Sequence, residues 1–333
     1  MPLRNLISDA TLALLASHTP PPVATYDLPP LAREVAHSPE SVARANGIDL
    51  TYDTFGDPAD PPILLVMGLS GQMIAWNDEF CARLAARGLY VIRFDNRDIG
   101  RSTWLDYEPV PNLFALTRAL RRGEPVRVPY GIGDMADDAL GLLDALGIER
   151  AHVVGVSMGG MIAQAMAIAS PHRVHTLTSI MSHTAERDLP HPHRRVMGVM
   201  MIPAPRERDA YLKHSIQVWR ILNGPVYAVD LARIHAESMT IYQRGRHPAG
   251  SGRQLAAILA APSRLAGLRS LAVPTLVMHG DRDPLIPLEG GRRTAAAVPG
   301  AALEIIPGMG HALPPPLWDR IIARIAAHAE RNG

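Results

Sequence analysis

The stretch AHVVGVSMGGMIAQ, residues 151–164, constrains the fold more tightly than any other part of the chain. Apolar residues run into Gly155-Val156-Ser157-Met158-Gly159-Gly160 and then directly into helix formers, so a strand must become a helix around one serine. Gly155 and Gly159, two positions either side of Ser157, let the backbone turn sharply enough to hold that serine outward in a strained conformation. The bland alternative is a glycine-rich turn that merely contains serine. A strand before it and a helix after it favour a displayed nucleophile.

The flanking sequence supplies the matching architecture. SVARANGIDLTYDTFGD reads as two extended segments around an Asn46-Gly47 turn, and PILLVMG (62–68) and LYVIRFD (89–95) read as strands buried on both faces. Helical NDEFCARLAARG lies between these two, and GIGDMADDALGLLDALGI (131–148), with Asp134 placed to cap it, precedes the serine strand. VHTLTSIMSH (174–183), VPTLVMHGDRD (273–283) and AALEIIPG (301–308) add strands, and a helix from about Pro314 to Asn332 closes the chain. Alternation of this kind predicts an α/β fold with a mostly parallel central sheet flanked by helices.

Three regions follow: residues 1–39 as an N-terminal helix and proline-rich arm, 40–183 with 271–333 as the core, and 184–270 as a helical insertion late in the sheet. The opening helix would present Leu3, Leu6 and Ile7 on one face and end at Pro20, Pro21 and Pro22; Asp9 breaks its apolar run, which argues against a cleaved signal. No stretch is apolar enough for a membrane span, and a net charge of +1 gives no field that would draw nucleic acid or an anionic membrane. The single cysteine, Cys81, excludes an internal disulfide and a cysteine metal cluster, consistent with a cytoplasmic protein whose partner is a small molecule.

A serine hydroxyl needs a general base and a third group to orient that base. On an open parallel sheet such groups gather just beyond the carboxyl ends of strands, which selects among fourteen histidines. His311, in PGMGHALPPP after the last strand, is the expected base; His279 lies inside a strand end, His172 falls on the far side of the sheet, and His191 with His193 sits in a charged loop rather than a metal site. The carboxylate is expected after the strand ending in His279-Gly280, at Asp283, with Asp281 as the second choice and a loop-stabilising role as its bland reading. The backbone N–H groups of Met158 and Leu69 are the expected oxyanion donors. Ser70 and Gln72 beside them are better explained as plain loop residues. In the insertion, Met197, Met200, Met201, Trp219, Tyr227, Met239 and Tyr242 are candidates for an apolar lining, with Met197, Met201, Trp219 and Met239 taken as the substrate pocket. Ordinary core is the competing reading of each.

Taken together and in this order, the serine turn, His279-Gly280 with Asp283, and Gly310-His311 resemble the α/β-hydrolase superfamily over about residues 40–330. VMGLSGQMIAWNDEFCARLAARGLYVIRFDNRDIGRST is similar to the corresponding stretch of aclacinomycin methylesterase and related actinomycete-type serine esterases. In that resemblance Asp95, Arg97, Asp98, Gly100 and Ser102 form the turn after a strand, where an arginine between acids suits pinning a loop. The resemblance implies a lid, which residues 184–270 would carry, and hydrolysis of a carboxylic ester without cofactor or metal through Ser157, His311 and Asp283. An apolar, bulky or methyl ester is the expected substrate. Lactone or carbon-carbon bond hydrolysis, perhydrolysis, acyl transfer, and a non-catalytic ligand-binding role are the alternatives, because fold and triad do not fix the bond broken.

Overall fold

Asn46 and Gly47 both have positive φ, 46° and 79°, as a two-residue hairpin turn requires. They join β1 (Ser41–Ala45) to β2 (Ile48–Phe55) in an antiparallel pair. The computed structural model describes residues 22–31, 33–200 and 204–332; the expected helix bearing Leu3, Leu6 and Ile7 lies outside them.

Six further strands complete the sheet: β3 (Pro62–Val66), β4 (Tyr90–Phe94), β5 (Ala151–Val156), β6 (Val174–Ile180), β7 (Thr275–Gly280) and β8 (Ala302–Ile306). Their spatial order is β1-β2-β4-β3-β5-β6-β7-β8, and every pair from β4 onward is parallel. The chain leaves β3 toward one edge to form β4 and returns on the other side of β3 as β5. A crevice therefore opens between the carboxyl ends of β3 and β5, where the direction of winding reverses. β5 and β7 are buried along their whole lengths, as continuous apolar strands covered on both faces must be.

The helices are α1 (Asp78–Ala85), α2 (Leu113–Arg121), α3 (Ile132–Ala145), α4 (Met158–Ala169), α5 (Arg194–Met200), α6 (Arg208–Leu222), α7 (Leu231–Arg244), α8 (Pro248–Ala260), α9 (Leu265–Arg269), α10 (Glu289–Ala297) and α11 (Trp318–Glu330). Asp134 caps α3 from inside its first turn, its carboxylate accepting from the Gly131 N–H at 2.7 Å. Leu142, Met161 and Ile162 of α3 and α4 pack on one face of the sheet, with Ala297 of α10 in the same cluster. Phe80 and Leu84 of α1 with Trp318, Ile321 and Ile325 of α11 cover the other. The α11 residues recur at helical spacing, so one stripe of that helix meets the sheet. Helix α2 was not anticipated from the sequence: it buries only Leu116 and leaves Phe114 exposed, so little apolar periodicity marks it.

Helices α5 to α9 lie between β6 and β7. The arm reaches from them to the sheet edge: the Val229 N–H donates to the Pro22 carbonyl at 2.7 Å, and the Ser38 N–H to the Thr54 carbonyl at 2.9 Å. Among the described residues no helix is long and apolar enough to cross a membrane.

The exit from β6 carries a proton-sensitive joint. His183 Nδ1 accepts from the Ala185 N–H at 2.9 Å, a bond that requires an unprotonated nitrogen. Burial, with the cationic Arg264 adding to it, pushes this imidazole down to about 4. Because the folded value lies below that of the unfolded chain, the unfolded state binds the extra proton and stability is lost as pH falls from about 6.5 toward 4. The melting temperature is expected to drop across that window, and less steeply in His183→Asn, whose amide oxygen keeps the bond without titrating. Equal acid limbs in thermal melts of the two proteins would remove His183 from the account.

Candidate active site

Ser157 follows β5 directly and has φ 55° and ψ −121°, a left-handed conformation that only a fully determined neighbourhood maintains. The glycines around it are dictated by contact. A Cβ on Gly155 would lie 2.1 Å from the Gly159 carbonyl oxygen, and one on Gly159 would lie 2.0 Å from that of Val66. Ser182 Oγ donates to the Ser157 carbonyl at 2.8 Å, and the Ser157 N–H donates to the Ile180 carbonyl at 2.9 Å, fixing the turn to the end of β6.

Asp283 and His311, 28 residues apart, meet with His311 Nδ1 2.7 Å from Asp283 Oδ2. The other carboxylate oxygen, Oδ1, accepts from the Leu285 and Ile286 N–H groups, each at 2.8 Å, so the carboxylate orientation is set by the backbone. Burial pushes the Asp283 carboxyl up, but the imidazoles of His311 and His279 outweigh it and hold the group well below the usual carboxylate range. His279 is fully buried with Nε2 2.8 Å from the Ile286 carbonyl oxygen. Asp281 accepts from the Gly308 N–H at 2.6 Å, fastening the loop between β8 and His311. That loop is also seated on the insertion, since the His311 N–H donates to the Leu222 carbonyl at the end of α6. Gly310 is required there: a Cβ would lie 2.3 Å from that same oxygen.

The loop after β3 closes on the serine turn from the other side of the crevice. A Cβ on Gly68 would lie 3.2 Å from the Ser157 Cβ. Among the described residues the Leu69 and Met158 N–H groups have no protein acceptor, whereas the flanking Ser70 N–H donates to Gln254 Oε1 at 2.9 Å. Gln72 does more than a plain loop residue: its Nε2 donates to the carbonyls of Ile241 and Gly245, and its Oε1 accepts from Arg244.

The turn after β4 is pinned, but not by an arginine bridging its own acids. Arg97 reaches across to Asp138 of α3 at 2.5 and 2.6 Å. Asp95 instead accepts from the Met73 and Arg101 N–H groups and pairs with Arg244, and both oxygens of Asp98 accept from Arg253, one from Nε and one from Nη2, each at 2.8 Å. Arg244 and Arg253 come from α7 and α8, which nothing local in the sequence announces.

Of the four expected pocket residues, Met197 is 44 % exposed on α5, Trp219 and Met239 are half-buried on α6 and α7, and Met201 lies outside the described residues. Tyr227 and Tyr242 are tied down by their hydroxyls, which donate to the Pro307 and Arg206 carbonyls. A cavity of about 400 Å³ lies between the arm, the sheet edge and α7, bounded by His37, Glu40, Arg93, Arg101 and Arg244; neither the serine turn nor the Asp283–His311 pair lines it. His191 and His193 are exposed, and no group of three or more metal-ligating side chains occurs among the described residues. Cys81 is fully buried and its thiol is pushed up to about 12 by that burial, which makes it a packing residue.

A strained serine between β5 and α4, a buried Asp-His pair beyond β7 and β8, and two open amides at the winding reversal are the hallmarks of a hydrolase built on an α/β sheet. The chain belongs to the α/β-hydrolase family, whose model matches residues 61–314. Among curated proteins it is 33 % identical to rhodomycin D methylesterase DauP of Streptomyces sp. (strain C5), over 87 % of this chain and 98 % of that one. It is also 33 % identical to rhodomycin D methylesterase DnrP of Streptomyces peucetius, over 84 % and 95 % respectively. Among solved structures it superposes on an esterase, RhEst1, from Rhodococcus sp. ECU1013 with a TM-score of 0.68 at 19 % identity, covering 88 % of this chain and 99 % of that one.

Proposed function

We propose that this protein is a serine carboxylic-ester hydrolase and that its substrate is a bulky, apolar methyl ester. Ser157 Oγ attacks the ester carbonyl as His311 Nε2 takes its proton, and the carbonyl π pair moves onto oxygen, where the Leu69 and Met158 N–H groups hold it. Collapse of the tetrahedral intermediate expels the alcohol, which receives the proton from His311. Water, deprotonated by the same imidazole, then attacks the acyl carbon; the C–Oγ bond breaks, Ser157 Oγ takes the proton back from His311 and the acid is released. Asp283 holds His311 with Nδ1 protonated and stabilises the imidazolium.

The observation that carries this reading is the buried 2.7 Å contact between His311 Nδ1 and Asp283 Oδ2, on the same sheet end as a serine held at positive φ. The methyl-ester part rests on the rhodomycin D methylesterases, to which the chain is similar over most of its length. The bulky part rests on five helices between β6 and β7, which we read as a lid. Steady-state hydrolysis of a polycyclic aromatic methyl ester beside methyl butyrate tests both. The expected result is a kcat/KM at least tenfold higher for the polycyclic ester, an advantage of about 1.4 kcal/mol in the transition state. Preference for the short ester would sink the substrate assignment.

A further inference from the structure

Two side chains and two carbonyls of the insertion reach into the loop that carries the Leu69 amide. Gln254, on α8 and fully buried, spans two core loops with one side chain. Its Oε1 accepts from the Ser70 N–H and its Nε2 donates to the Arg97 carbonyl, both at 2.9 Å. Ser70 has φ 60°, a conformation that side-chain-bearing residues resist, so the bond to Gln254 acts where the loop most needs restraint. At the far end of the same loop, the Gln72 amide is held by carbonyls of α7 and of Gly245. Leu69 is thus followed by a residue whose N–H is fixed from the insertion, while Gly68 before it abuts Ser157.

We infer that Gln254 is a positioning residue for the oxyanion site, and that docking of α8 on the core and alignment of the Leu69 amide are one event. This inference rests on the proposed serine mechanism. Without Gln254 the Ser70 N–H loses its side-chain acceptor and the loop its tie to α8; the loop then has a reason to leave its left-handed turn, and the Leu69 N–H swings off the position where the oxyanion forms. The ester still binds, because the loop contributes to the ground state only through shape. The tetrahedral intermediate is what loses a donor.

The test uses the full-length protein with Gln254→Met, and Gln254→Asn, which keeps an amide in the buried site but is too short to span both partners. It includes Ser157→Ala as a control. Two readings are taken: kcat and KM for an ester, and the affinity for an aryl trifluoromethyl ketone. That ketone forms a bond from Ser157 Oγ to its carbonyl carbon, sends the π pair to oxygen as an oxyanion, and leaves the serine proton on His311. The expected result is a kcat lowered about 10- to 100-fold with KM changed less than about threefold, and a ketone weakened by the same factor as kcat. If Gln254→Met does not accumulate as folded protein, Gln254→Asn carries the same expectation. A kcat within twofold of the parent, or ketone affinity unchanged while ester turnover falls, overturns the inference. The control separates the two levels: an inactive Ser157→Ala beside unimpaired Gln254 variants removes only the role of Gln254, whereas turnover retained in Ser157→Ala removes the serine mechanism and the inference with it.

Discussion

Ser157→Ala is expected to lower kcat for ester hydrolysis by more than about 10⁴-fold, a loss exceeding about 5 kcal/mol of transition-state stabilisation. The size follows from what the other groups can do alone. With the hydroxyl gone no acyl-enzyme can form, and only water activated by His311, with the two amides still facing the carbonyl, remains to hydrolyse the ester. KM is expected to change little, because removing one hydroxyl takes away little of the area that binds the ester. Stability is expected to rise or hold, since alanine at φ 55° carries no more strain than serine and the backbone bonds of the turn to Ile180 and Ser182 survive. A purified variant with the parental melting temperature and more than a hundredth of the parental kcat would remove Ser157 from its assigned role.

The parts of this site that could be read in the sequence are those whose cause is local. Gly155 is fixed by the Gly159 carbonyl four residues on, so the need for glycine there is written into the turn itself, whereas Gly159 is required by Val66 of β3, a contact the local letters do not show. Asp283 and His311 were reachable because each sits a few residues beyond a strand with clear apolar boundaries. The same logic gave the Asn46-Gly47 hairpin and the alternation of the sheet. What could not be read is how α7 and α8 dock. Arg244 lies 149 residues from Asp95, Arg253 lies 155 from Asp98, and Gln254 lies 157 from Arg97. No periodicity or motif links them, and the acid-rich turn after β4 therefore suggested a self-contained knot around Arg97 rather than three separate anchors. The apolar residues of the insertion were hard to assign for a related reason: a helix that packs against both a core and a ligand has the same composition in either case.

Asp283→Asn is expected to be nearly as damaging as loss of the serine, about 10⁴-fold in kcat, with the fold intact. The argument is specific to how this carboxylate is held. Oδ1 accepts from the Leu285 and Ile286 N–H groups, and those two donors select the carbonyl oxygen of an asparagine for the same place. The amide NH₂ must then occupy the Oδ2 position and point at His311 Nδ1, 2.7 Å away. A donor there forces Nδ1 to be the acceptor, so the ring proton moves to Nε2, where it blocks acceptance of the proton from Ser157. Asp283→Ala imposes no tautomer and is expected to retain at least as much activity as the asparagine variant, even though it strands two backbone donors and melts at lower temperature. Parallel measurement of kcat and melting temperature for the two variants separates orientation from stability. If Asp283→Asn works within tenfold of the parent, the tautomer argument is wrong and Asp283 serves the fold rather than the reaction; if alanine is the less active of the two while equally well folded, the charge-independent hold on the ring matters more than the proton's position.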